Sequence, residues 1–281
     1  MTFTDTHVHF WDPAVFVYPW LVQHPDLARR HSPPELDGEM PGATPARMVF
    51  VQAECLENQA PAEVRWVAEM AASDQRIAAI IAHCRMEDSA ACAERLAELR
   101  QHPLVRGVRH LIQGQDDPDF CVRPNFVAGV RQCGAVELLF EICCSADQLA
   151  NVIRLVRRCP DTRFVLDHAG KPDIRSGRFD PWRTQIDALA SLPNLVCKLS
   201  ALVTQASHDG WQIADLRPYW NHLVSAFGPQ RLLFGSDWPV VKLASSYCRW
   251  LETATELAAT LPSSDRTAIF HDNASRIYQF T

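Results

Sequence analysis

Apolar residues in this chain come in eight short runs, each rich in β-branched or aromatic side chains and closed by polar or turn-forming residues. They are FTDTHVHF (3–10), RMVFVQAE (47–54), RIAAIIAHC (76–84), VRGVRHLI (105–112), AVELLFEIC (135–143), RFVLDHAG (163–170), NLVCKLSAL (194–202) and RLLFGSDW (231–238). Runs of this length and composition predict strands, and nearly continuous apolar character predicts strands covered on both faces. Between them apolar residues recur at i, i+3 and i+4, which predicts helices over 61–72, 88–100, 146–159, 183–192, 215–227 and 246–261. A strand and then a helix, repeated at about 35 residues per unit, is the pattern of an α/β chain closed into a (β/α)8 TIM barrel. The expectation is one domain over residues 1–281. The length alone suits two smaller domains as well, and a doubly wound open sheet lacks the G-x-G-x-x-G turn of its nucleotide-binding form. The proline-rich stretch HSPPELDGEMPGATP (31–45) follows the first strand. It belongs to a long first βα loop at about 11–45, expected to lie over the barrel mouth where such folds keep their active sites.

Composition narrows the class. With 47% hydrophobic and 21% charged residues the chain reads as an ordinary globular protein. It has no apolar run near the roughly 20 residues that cross a bilayer and no layout of a signal peptide, so a cytoplasmic location is expected. A net charge of −6 without any basic block argues against nucleic acid or a membrane as partner. The 10 cysteines include no C-x-x-C and fall largely within apolar runs, which reads as buried reduced thiols rather than a disulfide framework.

Chemistry is concentrated at the ends of the strands. His7 and His9 close the first, Gln52 and Glu54 the second, Arg109 and His110 the fourth, Asp167 and His168 the sixth, and Ser236 and Asp237 the eighth, with Lys198 and Ser200 late in the seventh. Any single one of these suits a satisfied core residue, but their repetition at the barrel mouth suits a site. Imidazoles and a carboxylate are ligands for a zinc-like ion, which lowers the pKa of bound water. The same groups without metal orient water, with Asp237 as general base and Arg109 facing an oxyanion. Spacing alone leaves both open. Asp167 should alternate to the face opposite His168 and is read as structural, paired with an outer group. Lys198 interrupts an apolar strand and needs a buried partner, for which Glu137 or Glu141 is available. Trp11, Tyr18 and Trp20 are core aromatics or a stacking surface for a sugar ring. His24, His31, His83, His102, His208, His222 and His271 are assigned solvated or core roles.

The motifs THVHFWDP, GVRHLIQ (107–113), LDHAGKP (166–172), CKLSAL (197–202) and FGSDWP (234–239), in this order, resemble the amidohydrolase-2 group of the amidohydrolase superfamily. Within it they are most similar to the sugar lactonases, such as the L-fuconolactone and L-rhamnonolactone hydrolases. The resemblance runs from Thr4 to HDNASRIY (271–278). It implies a TIM barrel, hydrolysis of a lactone ring, and a catalytic set of His7, His9, His168 and Asp237. Arg109, His110, Gln113, Gln52, Trp11, Lys171 and Trp238 would contact the substrate. The group also holds pyrone-dicarboxylate and muconolactone hydrolases and is related to zinc decarboxylases, which are the alternative activities. A barrel that binds a ligand without turnover is the non-enzymatic one.

Two departures bear on the metal. Many relatives read KLSGLVTEA where this chain reads KLSALVTQA, so Gln205 brings no charge to a cation. Binuclear members bridge two metals with a carbamylated lysine on a central strand. This chain has three lysines, Lys171, Lys198 and Lys242, and none before Gly170, so that centre is excluded. One divalent ion held by His7, His9, His168 and Asp237, or none, is expected, with no organic cofactor. The partner is a small lactone, and monomer and homodimer are left open.

Overall fold

A computed structural model of the chain describes residues 2–40 and 42–280. Eight parallel strands, β1 (Thr4–Val8), β2 (Arg47–Val51), β3 (Ile77–His83), β4 (Val105–Arg109), β5 (Leu139–Ile142), β6 (Phe164–Leu166), β7 (Leu195–Ser200) and β8 (Leu232–Gly235), pair in sequence order. Closure comes at the seam between β1 and the end of β8, where Asp237 N–H donates to the His7 carbonyl at 2.8 Å and His9 N–H to the Trp238 carbonyl at 2.8 Å. The buried Asp5 side chain ties the same seam, accepting from Ser236 N–H at 2.8 Å and from the Tyr247 hydroxyl at 2.9 Å.

The eight expected strands are all present and end earlier than their apolar runs. Beyond β2, β6, β7 and β8 the reason is backbone conformation. Glu54 (φ 58°), His168 (φ 51°), Ala169 (φ 53°), Ala201 (φ 43°) and Asp237 (φ 58°) take left-handed conformations just beyond strand ends, where a residue with a Cβ is strained. Each bends the chain out of the ladder.

Inside the barrel, Val49, Val51, Ala79, Ile81, Leu139, Val165, Val196 and Leu233 form an apolar layer closed from below by Ala274 and Tyr278. The alternate residues face outward onto the helices. These are α1 (Pro33–Gly38), α2 (Ala60–Ser73), α3 (Ser89–Gln101), α4 (Pro124–Ala135), α5 (Leu149–Arg158), α6 (Trp182–Ala190), α7 (Ile213–Phe227), α8 (Tyr247–Leu257), α9 (Ser263–Thr267) and α10 (Asn273–Tyr278). Among the helices that follow β2 to β8, α4 is the one for which the sequence pattern offers no expectation. It contains Gly129 and Gly134, which lower helix propensity and are required by packing. A Cβ on Gly129 would lie 2.1 Å from the Met86 carbonyl oxygen.

The β1–β2 connection is long, as expected, but its parts differ from expectation. Trp11 pairs with His31 and folds residues 11–31 into a compact loop, in which 3-10 turns cover Pro19–Gln23 and Pro25–Leu27. The proline-rich part forms α1, and Glu39 beyond it accepts from Trp238 Nε1 at 2.9 Å and pairs with Lys242. That segment buttresses the β8 loop, and none of its described residues lines the cavity at the mouth.

Gly129→Ala should therefore destabilise the protein by about 1–3 kcal/mol despite its better helix propensity, because neighbouring backbone must move. Urea unfolding at pH 7 measures this.

Candidate active site

At the C-terminal mouth of the barrel lies a cavity of about 450 Å³. The strand ends supply His9, Glu54, Arg109, Cys143, His168 and Asp237 to its wall, and the first βα loop supplies Trp20, Gln23 and His24. Lys171, Gln113, Thr204, Gln205 and His208 complete the polar lining.

Asp237 is the centre of this site. Its Oδ1 lies 3.3 Å from His9 Nε2 and 3.7 Å from His7 Nε2, and its Oδ2 lies 3.8 Å from His168 Nδ1. Burial alone would raise its pKa, but His168, His9 and His7 outweigh that and hold it below the usual carboxylate range. It is ionised at neutral pH. His168 is buried, and its pKa falls to about 4 because desolvation outweighs the pull of Asp237. Its ring Nδ1 is 2.8 Å from Ser200 Oγ, which also accepts from the His168 N–H at 3.2 Å. His7, fully buried beside Lys198, is likewise held neutral. His9 Nδ1 lies 2.7 Å from the Val51 carbonyl, which can only accept, so Nδ1 carries a proton and Nε2 is the ring atom turned to Asp237.

His9 Nε2 and Asp237 Oδ1 stand 3.3 Å apart, close enough to share a proton or a cation, and His7, His168 and Asp237 bring one ligand atom each to within 4.8 Å of one another. The set fits a single divalent ion. The carbonyl that fixes His9 in the ligating tautomer is the usual second partner of a metal-bound imidazole.

Beneath the cavity is a layer of buried charge. Lys198 Nζ contacts Glu141 Oε2 at 2.5 Å, Asp167 Oδ1 at 3.3 Å and His7 Nδ1 at 3.2 Å. Asp167 Oδ2 accepts from Arg109 Nη1 at 3.2 Å, and Arg109 Nη2 donates to the Gln52 carbonyl at 2.7 Å. The Tyr278 hydroxyl donates to Glu141 Oε1 at 2.7 Å from below. The partner of Lys198 is therefore Glu141. Glu137 is exposed and lies 3.3 Å from Arg100. Burial would push Asp167 up, but Lys198, His7 and Arg109 hold it well below the usual range.

This layer corrects the reading of Asp167 as an outward-facing residue. It points into the barrel like its neighbour His168, because the left-handed backbone at His168 breaks the alternation of faces. Four expected substrate contacts also lie elsewhere. His110 turns outward, where Nδ1 accepts from Met86 N–H at 3.2 Å and the ring packs against Phe120 and Phe126. Trp11 is buried with Nε1 on the Leu27 carbonyl, and Trp238 is buried with Nε1 on Glu39. Gln52 is buried behind Glu54, which it grips through its side-chain amide. Gln113 and Lys171 do line the cavity, joined by a hydrogen bond. Trp20, which the sequence left between core packing and a stacking surface, lines it, and so do residues outside the expected set, among them Glu54, Gln23, His24, Cys143, Thr204 and His208. Glu54 had a signal, its place at a strand end; Gln23, His24, Thr204 and His208 sit on connections without periodicity.

Residues 4–280 match the model of the Amidohydrolase family. The chain is 36% identical to an L-fucono-1,5-lactonase of Burkholderia multivorans, over 98% of this chain and 95% of that protein. It is 32% identical to an L-fucono-1,5-lactonase of Burkholderia ambifaria, over 99% and 96%. Its structure superposes on a crystal structure of an amidohydrolase from Burkholderia multivorans with bound zinc, with a TM-score of 0.88, 34% identity and complete coverage of both chains.

Lys198→Met leaves Glu141 and Asp167 without their ammonium and is expected to cost about 3–5 kcal/mol, read as a lower urea midpoint. A second expectation concerns pH. Glu63 of α2 is fully buried; its Oε1 accepts from Ala53 N–H at 3.2 Å, and its Oε2 has no partner. Burial raises its pKa from 4.5 to about 8, against the opposing pull of the Ala53 N–H. A folded-state value above the unfolded one means that the contribution of Glu63 to stability is complete below about 4.5 and lost as pH rises through 8. Glu63→Gln should flatten the decline in melting temperature between pH 5 and pH 9, about the range bounded by those two values.

Proposed function

Since the chain belongs to the amidohydrolase family, we propose that it hydrolyses the ring ester of an uncharged, polyhydroxylated sugar lactone of the L-fucono-1,5-lactone type. The observation that carries this reading is the ionised Asp237 among three neutral or proton-sharing imidazoles at the floor of a cavity of lactone size. Asp237 accepts a proton from water as the water oxygen bonds to the lactone carbonyl carbon, and the carbonyl π pair moves onto its oxygen. Arg109 receives that oxyanion. Its Nη groups are engaged below the cavity, whereas its Nε–H is buried without a partner and is the donor left over. Collapse of the tetrahedral centre breaks the bond to the ring oxygen, and the proton held by Asp237, passed directly or through His168, neutralises the departing alkoxide.

A divalent ion, when bound, would be held by His7, His9, His168 and Asp237 and would supply Lewis-acid polarisation of the carbonyl and a more acidic water. Uncharged substrate is favoured over a pyrone dicarboxylate by the charges of the wall. Asp237 and Glu54 repel carboxylates, Arg109 is already neutralised by Asp167, and Lys171 alone is left to attract one. The neutral polar groups of Gln23, Gln113, Thr204 and Gln205 suit hydroxyls, and the Trp20 ring suits the apolar face of a sugar. The 10 free cysteines support a reducing, cytoplasmic location.

A proton-release assay over L-fucono-, L-rhamnono- and galactonolactones and a pyrone dicarboxylate tests the reading. Turnover of the sugar lactones is expected, with kcat/KM about 1,000-fold lower in Asp237→Asn at unchanged melting temperature. Undiminished turnover in that variant contradicts the role of Asp237. Zinc titration by calorimetry should give one site per chain, absent in Asp237→Ala.

A further inference from the structure

Glu54 is the one carboxylate on the described cavity wall that the hydrolytic chemistry above leaves unused. Its backbone is strained, with φ at 58° for a residue bearing a Cβ, and strain of this kind persists where the surroundings enforce it. The enforcement is visible. The Gln52 side chain accepts from the Glu54 N–H at 2.8 Å through Oε1 and donates through Nε2 to Glu54 Oε1. Gln52 is itself 1% exposed, and its carbonyl takes Arg109 Nη2 at 2.7 Å. One buried residue thus fixes both Glu54 and the guanidinium assigned to the oxyanion, so the two keep a constant relation to each other.

The grip also determines what the carboxylate can do. Gln52 occupies one acceptor position of Oε1; no other described hydrogen bond or ion pair engages Oε1 or Oε2, and Glu54 stands on the wall that this cavity shares with a neighbouring cleft lined by His83 and His110. An ionised carboxylate accepts and never donates, and two oxygens about 2.2 Å apart match a pair of hydroxyls on adjacent carbons. A carboxylate whose only task was to hold the loop would not need a second oxygen without a protein partner, nor a strained backbone.

Resting on the lactonase reading and deepening it, we propose that Glu54 is the specificity-determining residue of the site. It accepts two hydrogen bonds from vicinal hydroxyls of the lactone ring, and it excludes ring esters that carry a carboxylate at that position. A site built around such an acceptor discriminates strongly against an analogue lacking the hydroxyls, because the carboxylate is then desolvated without a partner.

The test compares kcat/KM for L-fuconolactone with that for an unsubstituted six-membered lactone, in the wild-type protein and in Glu54→Gln. The ratio of the two values should fall at least about 30-fold in the variant, since the amide offers one acceptor oxygen and an N–H in place of two charged acceptors. An unchanged ratio overturns the assignment, and so does a wild-type protein with no preference for the hydroxylated ring. Binding of L-fucopyranose, which has the ring hydroxyls and nothing to hydrolyse, gives an independent readout by calorimetry. At least about tenfold weaker binding in Glu54→Gln is expected, and equal affinity overturns the proposal. Failure of the wild-type protein to open any lactone contradicts the hydrolase reading alone; the sugar titration still decides the role of Glu54.

Discussion

The site rests on one buried ammonium. Lys198 stands in the barrel interior with no exposure, and desolvating such a group is tolerable only when its three protons meet acceptors. Glu141 on β5, Asp167 just beyond β6 and His7 on β1 surround it at 2.5, 3.3 and 3.2 Å. Through Asp167 the contact reaches Arg109, and through His7 it reaches Asp237. Every charged group on the cavity floor is therefore positioned by a layer that cannot rearrange without leaving a buried charge unpaired. Tyr278 seals that layer from below, which explains why the last helix turns inward under the barrel instead of packing outside it. A fixed floor of this kind serves hydrolysis, in which the water-activating carboxylate and the oxyanion donor must already be in place when charge develops.

Above the floor, the strand ends abandon the sheet. Left-handed backbone at Glu54 and His168 turns toward the cavity side chains that strict alternation from Val51 and Val165 would send outward. Backbone strain thus serves geometry here. It lets adjacent residues such as Asp167 and His168 both face the interior, one to the charged floor and one to the cavity.

The same feature explains what the sequence could reveal. The eight strands were legible because buried parallel strands are nearly continuous apolar runs, and the barrel was legible from their alternation with amphipathic helices. His7, His9, Arg109, His168 and Asp237 stood out because polar groups at the ends of apolar strands are costly without a purpose. Asp167 was misplaced because the left-handed turn beside it has no signature in the sequence. His110 could have been placed correctly, since it follows Arg109 and neighbours on a strand face opposite ways. Gln23, His24 and His208 reach the cavity from connections whose paths are set by tertiary packing, as when Trp11 pairs with His31, and residue pattern carries no record of that. Helix α4 was obscured by two glycines kept for close approach to Met86 and Thr162.

The central claim is that water, activated at Asp237, attacks the carbonyl carbon of the lactone, so the ring opens by acyl–oxygen cleavage. Single-turnover hydrolysis in ¹⁸O-enriched water followed by mass spectrometry of the product acid addresses this directly. One labelled oxygen in the carboxylate is the expected result. A label in the newly freed hydroxyl would place the attack on the alkyl carbon and contradict the roles assigned to Asp237 and Arg109.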